Sequence, residues 1–568
     1  MLDESVKYLV PEYQRNFEWK KEHAEEFWED VSSGSVFLGT FVLDIHKISE
    51  NEVYIVDGQQ RITTIFVFLA ACRYQAKKIN SLDQAFEIQR KISFIDDTSG
   101  KASSSKLIPS KSVSDVFIQT ITSDEWDGKK FEIRNKKLQI RKIKPIYEYF
   151  VEQTSKLDKD ELAELLKKLY ESTFVRIEIE ETQDAFEIFE RTNARGLELN
   201  AADLLKNYLF ARSASEKLEE EWDAIIENSN RNILRMIKYY YVSQFGPVQK
   251  KELFKKLKKH GEEVGADTLL ANIKEFSYYY ALIVAGSYET IVEWAHETEN
   301  KYFLNEYNAK ALNRALDALQ LFGVTQAYPL IAKLFIILSS VKEAEFKIRS
   351  SKELLSFLIS LEKFHFINYA VSQRPGNQVE DYYARKCESS FEEKQMAPFI
   401  EKIVKELKIM VVGKAEFIEK FSDINYVSNF SLIYYIFDRL NNFERKGAQY
   451  DVMYNPDKRL LRKNFDIDHL VSQNMDEYDF SEEEIGEAVD NIGNLLVMSK
   501  HSNGAAQNKN ILEKLNLLEE KDLHIPEVKI LVQEWKSKKW NNSSDVLNNI
   551  KERVNSLAER AYDIVWKI

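Results

Sequence analysis

From Asp203 to about Asn442 the chain reads as one helix after another. Apolar residues recur near every 3.6 positions, prolines are few and no fixed-period repeat is evident. LNRALDALQLFG from Leu312, YPLIAKLFIILSS from Tyr328 and ELLSFLISLEKFHFINYAVS from Glu353 carry the pattern, and RPGNQ at Arg374 breaks it as a loop. This stretch sets the class as mixed but mainly α. The aromatic run FSYYYALIV from Phe276 reads as core rather than as a base-stacking platform, and His365 reads as structural.

The flanks differ from this middle. At 568 residues the chain is too long for one core. Three regions are expected: 1–210 as an α+β domain, 211–442 as a helical connector, and 443–568 as a third domain. No apolar run approaches the roughly 20 residues of a membrane span, and the start MLDESVKYLVPEYQ lacks a signal-peptide pattern. Two distant cysteines, Cys72 and Cys387, form neither a disulfide framework nor a zinc site. A reducing, cytoplasmic setting without membrane contact is expected.

In the third region, FDIDHLVSQN from Phe465 is followed by NIGNLLVMSKHSNGAAQNKN from Asn491. Two short strands and a helix would bring Asp468, His469, Asn494 and Asn503 together. Asp468 and Asn503 supply oxygen ligands for a hard cation, Mg²⁺ or Mn²⁺. His469 supplies a neutral imidazole able to activate water. Asn494 is expected to orient the loop carrying His469, and Asn508 and Lys509 either contact phosphate or cap the next helix. This layout resembles the ββα-metal (His-Me finger, or HNH) nuclease site. In the final helix Val554, Leu557 and Ala561 mark the buried side, and Arg553 and Arg560 are expected to face solvent, with phosphate as the alternative.

In the first region a helix is expected from Lys21 to Gly34, with Ala24, Phe27, Trp28 and Val31 on one side. VFLGTFVLDIH from Val36 and VYIVD from Val53 read as partner strands. Next comes DGQQR, in which a strand ends at Asp57-Gly58 and an apolar helix begins near Arg61. A helix start offers N–H groups and a positive dipole end to an anion. Arg61 adds a donor fork, Gln59 and Gln60 add amides, and Gly58 would let phosphate approach the backbone. FVRIEIE from Phe174 reads as a strand and Ala185 to Arg191 as a helix. Asn193, Arg195 and Gly196 then read either as a turn or as neighbours of the nucleotide.

Together, PEYQR (Pro11 to Arg15), Trp19, VDGQQRITTI and FEIFERTNARGLELNAADLLKNYLF from Phe186 resemble the amino-terminal domain of GmrSD-type, type IV modification-dependent restriction systems and their phage-defence relatives. The stretch around Asp468 and the ending with Trp540, Ile550, Arg553 and Trp566 resemble that family's carboxy-terminal domain. The resemblance implies a ParB-like fold that binds and hydrolyses a nucleoside triphosphate (NTP) through Asp57, Gly58, Gln59, Gln60 and Arg61, with Gln14, Arg15 and Asn193 beside it. Family members usually carry further residues before PEYQR, so a trimmed start is expected. The implied activity is an NTP-regulated, metal-dependent DNA endonuclease acting on modified phage DNA, and a homo-oligomer is compatible with it. Its rivals are a nucleotide-dependent DNA sensor with a vestigial nuclease, or an NTPase acting on RNA or a phage protein. A net charge of −13 demands that any DNA-binding basic residues be concentrated locally. Candidates are KKFEIRNKKLQIRKIK from Lys129, KKELFKKLKK from Lys250 and DKRLLRK from Asp457.

Overall fold

The computed structural model describes residues 2, 5–11, 17–34, 37–96, 98–110, 113–123, 137–180, 200–215, 217–389, 393–442, 465–473, 482–506 and 509–568. The expected helix over Ala185–Arg191, the Asn193–Gly196 turn, Gln14, Arg15, Asn508 and DKRLLRK lie outside these residues. The chain forms two compact units, Met1–Ala224 with Lys250–Ala271, and Ile225–Gln249 with Asn272–Ile568.

The first unit is built on a five-stranded sheet. Its strands are β1 (Lys7–Leu9), β2 (Phe37–Asp44), β3 (Glu52–Asp57), β6 (Leu107–Ile108) and β7 (Thr173–Ile179), in the order β6-β1-β3-β2-β7. β4 (Ser93–Ile95) and β5 (Ala102–Ser105) form a separate pair. The expected strands from Val36 and Val53 pair antiparallel, Val42 opposite Asp57, and β7 runs parallel to β2. Helix Lys21–Ser33 ends at Gly34, φ +90°. It buries Ala24, Phe27 and Val31, while Trp28 is half-buried at the rim. Phe27, Phe68 and Phe150 pack edge to face, centroids 5.3–6.0 Å apart, joining that helix to Gln59–Lys78 and Lys137–Thr154. Such pairs add to the gain from burial alone.

One buried cation orders this core. Arg73 donates to the carbonyls of Thr120 (3.0 Å) and Ser123 (2.8 Å) and, more closely, to Ile121 O and Gln89 Oε1. Helix Ser114–Thr122 leaves its last carbonyls without helical partners, and the guanidinium of Arg73 supplies donors for them.

Among the described residues the second unit is helical apart from one antiparallel strand pair, β8 (Phe465–His469) and β9 (Leu495–Ser499). The expected helices occur as Glu306–Leu321, Tyr328–Ser340 and Ala344–His365. Phe276, Tyr279 and Tyr280 are core residues, and buried His365 pairs through Nε2 with Tyr383 Oη at 2.8 Å. The stretch Ala344–Val371 is long and apolar enough to cross a membrane, yet 67% of its apolar 18-residue window is buried inside the protein. Trp566 stacks on Phe366, centroids 3.9 Å apart, and donates to Tyr435 Oη at 2.9 Å. Tyr435 and Arg439 both donate to Glu362, at 2.7 and 2.6 Å. Burial works against the Arg439 charge, but Glu362, Tyr435 and Asp438 outweigh it and hold its pKa above the ordinary value.

Gly58 meets a steric demand of the fold itself. It caps helix Gln59–Lys78 at φ +93°, and an added Cβ would lie 2.5 Å from the Phe41 ring. The aromatic ring of Phe41 presses on this backbone. Gly58→Ala is therefore expected to cost about 2–4 kcal/mol, combining left-handed strain with overpacking. Gly100→Ala shares the positive φ (+65°) but meets nothing within 4 Å, so it should cost only about 1–2 kcal/mol. Urea denaturation of the two variants measures the difference.

Candidate functional site

β8 places acidic residues by simple alternation. Ile467 and His469 are buried, whereas Asp466 and Asp468 take the opposite, more open face. β9 leads into the short helix Lys500–Ala506, from which Asn503 Nδ2 donates to Asp466 Oδ2 at 3.2 Å. Asp466, Asp468 and Asn503 thus gather on one side of the strand pair. Asn503 contacts Asp466 rather than Asp468. Asp466 was not among the sequence candidates, although its i, i+2 relation to Asp468 puts both on one face.

Lys514 joins them from helix Ile511–Lys521. It is 2% exposed and donates to the His469 carbonyl at 2.6 Å and to Asp468 Oδ2 at 3.3 Å. Its position was legible in principle, because Ile511, Leu515 and Leu518 define a buried stripe that includes position 514.

On the other face, His469 Nε2 lies 2.9 Å from Asp490 Oδ1, and Gln473 Nε2 donates to the same oxygen at 2.9 Å. The Tyr426 ring packs edge-on against the imidazole, centroids 5.0 Å apart. A carboxylate only accepts, so Nε2 carries the proton of the neutral ring and the lone pair falls on Nδ1. Asp490 lies 21 residues from His469, and nothing local in the sequence signals the pairing.

Asn494 is fully buried, and its side chain hydrogen-bonds to backbone groups. Its Oδ1 accepts from Val471 N at 2.9 Å, and its Nδ2 donates to Val471 O (2.9 Å) and Val489 O (2.7 Å). Its own carbonyl accepts from Leu470 N at 2.9 Å. These bonds tie the segment after His469 to the turn before β9. Arg553 completes the turn and corrects the expectation that it faces solvent. It is 5% exposed and donates to Gly493 O at 2.8 Å and Leu495 O at 2.7 Å. Burial lowers its pKa to about 10, partly opposed by Glu527. The same helix buries Ile550, Val554 and Leu557, so spacing places 553 inward and only its charge suggested otherwise. Arg560 is held by Glu527. Gly493 is required for close approach, since a Cβ there would lie 2.6 Å from Ile550 O and 2.5 Å from Val554 Cγ2. Lys509 is half-buried, and its N–H donates to Ala506 O at 3.0 Å.

The amino-terminal candidates share one strand-to-helix turn. Asp57 ends β3, and its Oδ1 accepts from Gly58 N at 2.8 Å. Gln59 and Gln60 are buried in the first helical turn. Gln60 Oε1 accepts from the backbone N–H of Glu18 (2.8 Å) and Trp19 (3.2 Å), drawing the segment after PEYQR onto the helix start. Arg61 lies over the Phe41 ring, 5.7 Å from its centroid, with Nη1 3.5 Å from Thr40 O. Burial lowers the Arg61 pKa, and Asp57 offsets part of the shift. Ile62, Ile65 and Leu69 are buried beneath, as the helical pattern predicts.

Two family profiles match the chain. The GmrSD restriction endonuclease N-terminal domain matches residues 1–210, and the GmrSD restriction endonuclease C-terminal domain matches residues 412–559. No curated protein matches it.

Asn494→Ala strands two backbone groups of Val471 and one of Val489 in the interior. An expected loss of about 3–5 kcal/mol follows from the desolvation cost of unsatisfied groups. Denaturant titration measures the loss, and hydrogen exchange at the Val471 amide should rise with it.

Proposed function

The chain belongs to the GmrSD restriction endonuclease family, and from that premise we propose that it is a metal-dependent DNA endonuclease, regulated by NTP, that cleaves modified foreign DNA. The family places it among type IV restriction endonucleases, with DNA as its partner. The metal, the nucleotide and the modified target are our reading.

The observation that supports the nuclease reading best is the grouping of Asp466, Asp468 and Asn503 on one face of β8, with His469 following Asp468 in the chain and its ring on the opposite face. A strand pair followed by a short helix is the arrangement expected of a ββα-metal nuclease. Among the described residues no cluster of three or more His, Cys, Asp or Glu side chains is suited to a metal. The fit therefore rests on two carboxylates and one amide oxygen, all hard donors with no thiolate, which suits Mg²⁺ or Mn²⁺ with water completing the shell. When bound, the cation would stabilise charge developing on the phosphate and the leaving oxygen.

The remaining roles belong to the chain. His469 accepts the proton of the attacking water at Nδ1, the nitrogen that Asp490 leaves unprotonated. Asp490 and Gln473 hold the ring, and Tyr426 supports it from the side. Asn494 fixes the backbone just after His469, so the base cannot drift relative to the carboxylates.

At the other end of the chain, Asp57 and Arg61 at a helix start support an NTP site. Phosphate oxygens would meet the helix N-terminus and the Arg61 fork. Gln60 holds the PEYQR-linked segment against that start. A nucleotide bound there would change the packing around Glu18 and Trp19, and this offers a physical route for regulation.

Two experiments test these readings. His469→Ala is expected to reduce plasmid nicking about 10²–10⁴-fold, the usual worth of a positioned base, while the variant still melts cooperatively as a folded protein. EDTA should abolish nicking by the intact chain, and Mg²⁺ or Mn²⁺ should restore it. Near-normal nicking by the variant would remove His469 from the mechanism.

For the nucleotide, calorimetric titration of NTP should show Arg61→Ala binding at least about tenfold more weakly, because a charge-assisted fork is lost. Equal binding by both proteins, or no binding by the intact chain, would leave DGQQR a structural turn.

A further inference from the structure

We infer that Lys514 is a built-in counter-ion to Asp468 that an incoming divalent cation must displace, so that this lysine sets the ion concentration at which the site loads. The inference rests on the reading of Asp468 as an ion ligand, and its test keeps the two apart.

Burial makes the case. Lys514 is 2% exposed, and an ammonium withdrawn from water is strongly disfavoured unless it is paired. It has two unequal partners. The bond to the His469 carbonyl is 2.6 Å long and buried. The contact with Asp468 Oδ2 is longer, 3.3 Å, and the Asp468 side chain is still 24% exposed. The ammonium is thus anchored on the carbonyl and leans toward a carboxylate whose other side is open to solvent.

The neighbouring carboxylate is treated differently. Asp466 meets the neutral amide of Asn503 at 3.2 Å. Of two acidic groups on one face, one faces a dipole and the other a full positive charge. Holding the His469 carbonyl needs only an N–H donor, so the charge is more than that anchor requires. A cation approaching Asp468 meets this charge a few ångströms away in partly desolvated surroundings, where repulsion is far stronger than in water. Loading therefore requires Asp468 to exchange Lys514 for the ion, while Lys514 keeps the carbonyl.

The test is Mn²⁺ titration by calorimetry on the full chain, with thermal melting in EDTA and in Mn²⁺. The proteins compared are the intact chain, Lys514→Gln, Lys514→Met and Asp468→Ala. Glutamine retains a donor for the His469 carbonyl and removes only the charge, so it decides the matter where methionine prevents folding. Both lysine variants are expected to bind Mn²⁺ about tenfold or more tightly than the intact chain, as relief of a nearby like charge requires. They should melt lower in EDTA and recover more of the loss in Mn²⁺. Unchanged or weaker Mn²⁺ binding by Lys514→Gln, with binding intact in the parent and lost in Asp468→Ala, overturns the counter-ion role alone. A parent chain that binds no Mn²⁺, or an Asp468→Ala chain that binds it undiminished, overturns the ligand reading and this inference with it.

Discussion

The turn Ile492–Leu495 is buried residue by residue, and its backbone cannot turn to water for hydrogen bonds. Every group there needs a protein partner, because an unpaired buried amide or carbonyl costs as much as a lost hydrogen bond. Asn494 answers from within the turn and Arg553 from a distant helix. The two strands, the acidic face of β8 and the orientation of His469 all hang on this satisfaction. The absence of a side chain at Gly493 is the steric half of the same constraint, since it lets helix Ser543–Arg560 come close enough for Arg553 to reach.

Charge is used sparingly inside this protein and for definite purposes. Arg73 terminates a helix, Arg439 joins its own helix to Ala344–His365 through Glu362 and to Glu306–Leu321 through the Arg314 carbonyl, Arg553 closes the turn, and Lys514 stands beside Asp468. None of these cations is at the surface for a phosphate backbone to find. The net charge of −13 therefore understates how little positive charge is available to DNA, and attraction must come from local surface clusters such as the lysines of helix Leu253–Val264.

Much of the fold was legible from periodicity. Period-two alternation located β7, two apolar runs around the polar stretch KISENE located β2 and β3, and period 3.6 located the long helices. The candidate residues were legible by type and order, and Asn494 was expected to steady the loop after His469, where its amide bonds Val471. What escaped had two physical causes. Arg553 and Lys514 sit on buried helical stripes, where the charge of Arg553 suggests exposure and that of Lys514 gives no sign of its buried partners. Asp490 meets His469 only through tertiary folding, and Gly58 answers to the Phe41 ring across the sheet rather than to anything beside it in sequence. The pattern reports which face a residue takes, whereas the partner waiting on that face is set by the rest of the chain.

The reach of Arg553 back to Gly493 and Leu495 also has a meaning in time. A chain is made from its amino terminus, so both strands and the His469 segment emerge before the helix that satisfies their turn exists. Until that helix is made, the carbonyls of residues 493 and 495 have only water as a partner, and the close seat against Ile550 is missing. The hairpin therefore acquires its settled geometry late, after nearly all the surrounding protein has been synthesised. A growing chain still on the ribosome carries the acidic face and the imidazole without the frame that aligns them, so order of manufacture itself delays their alignment.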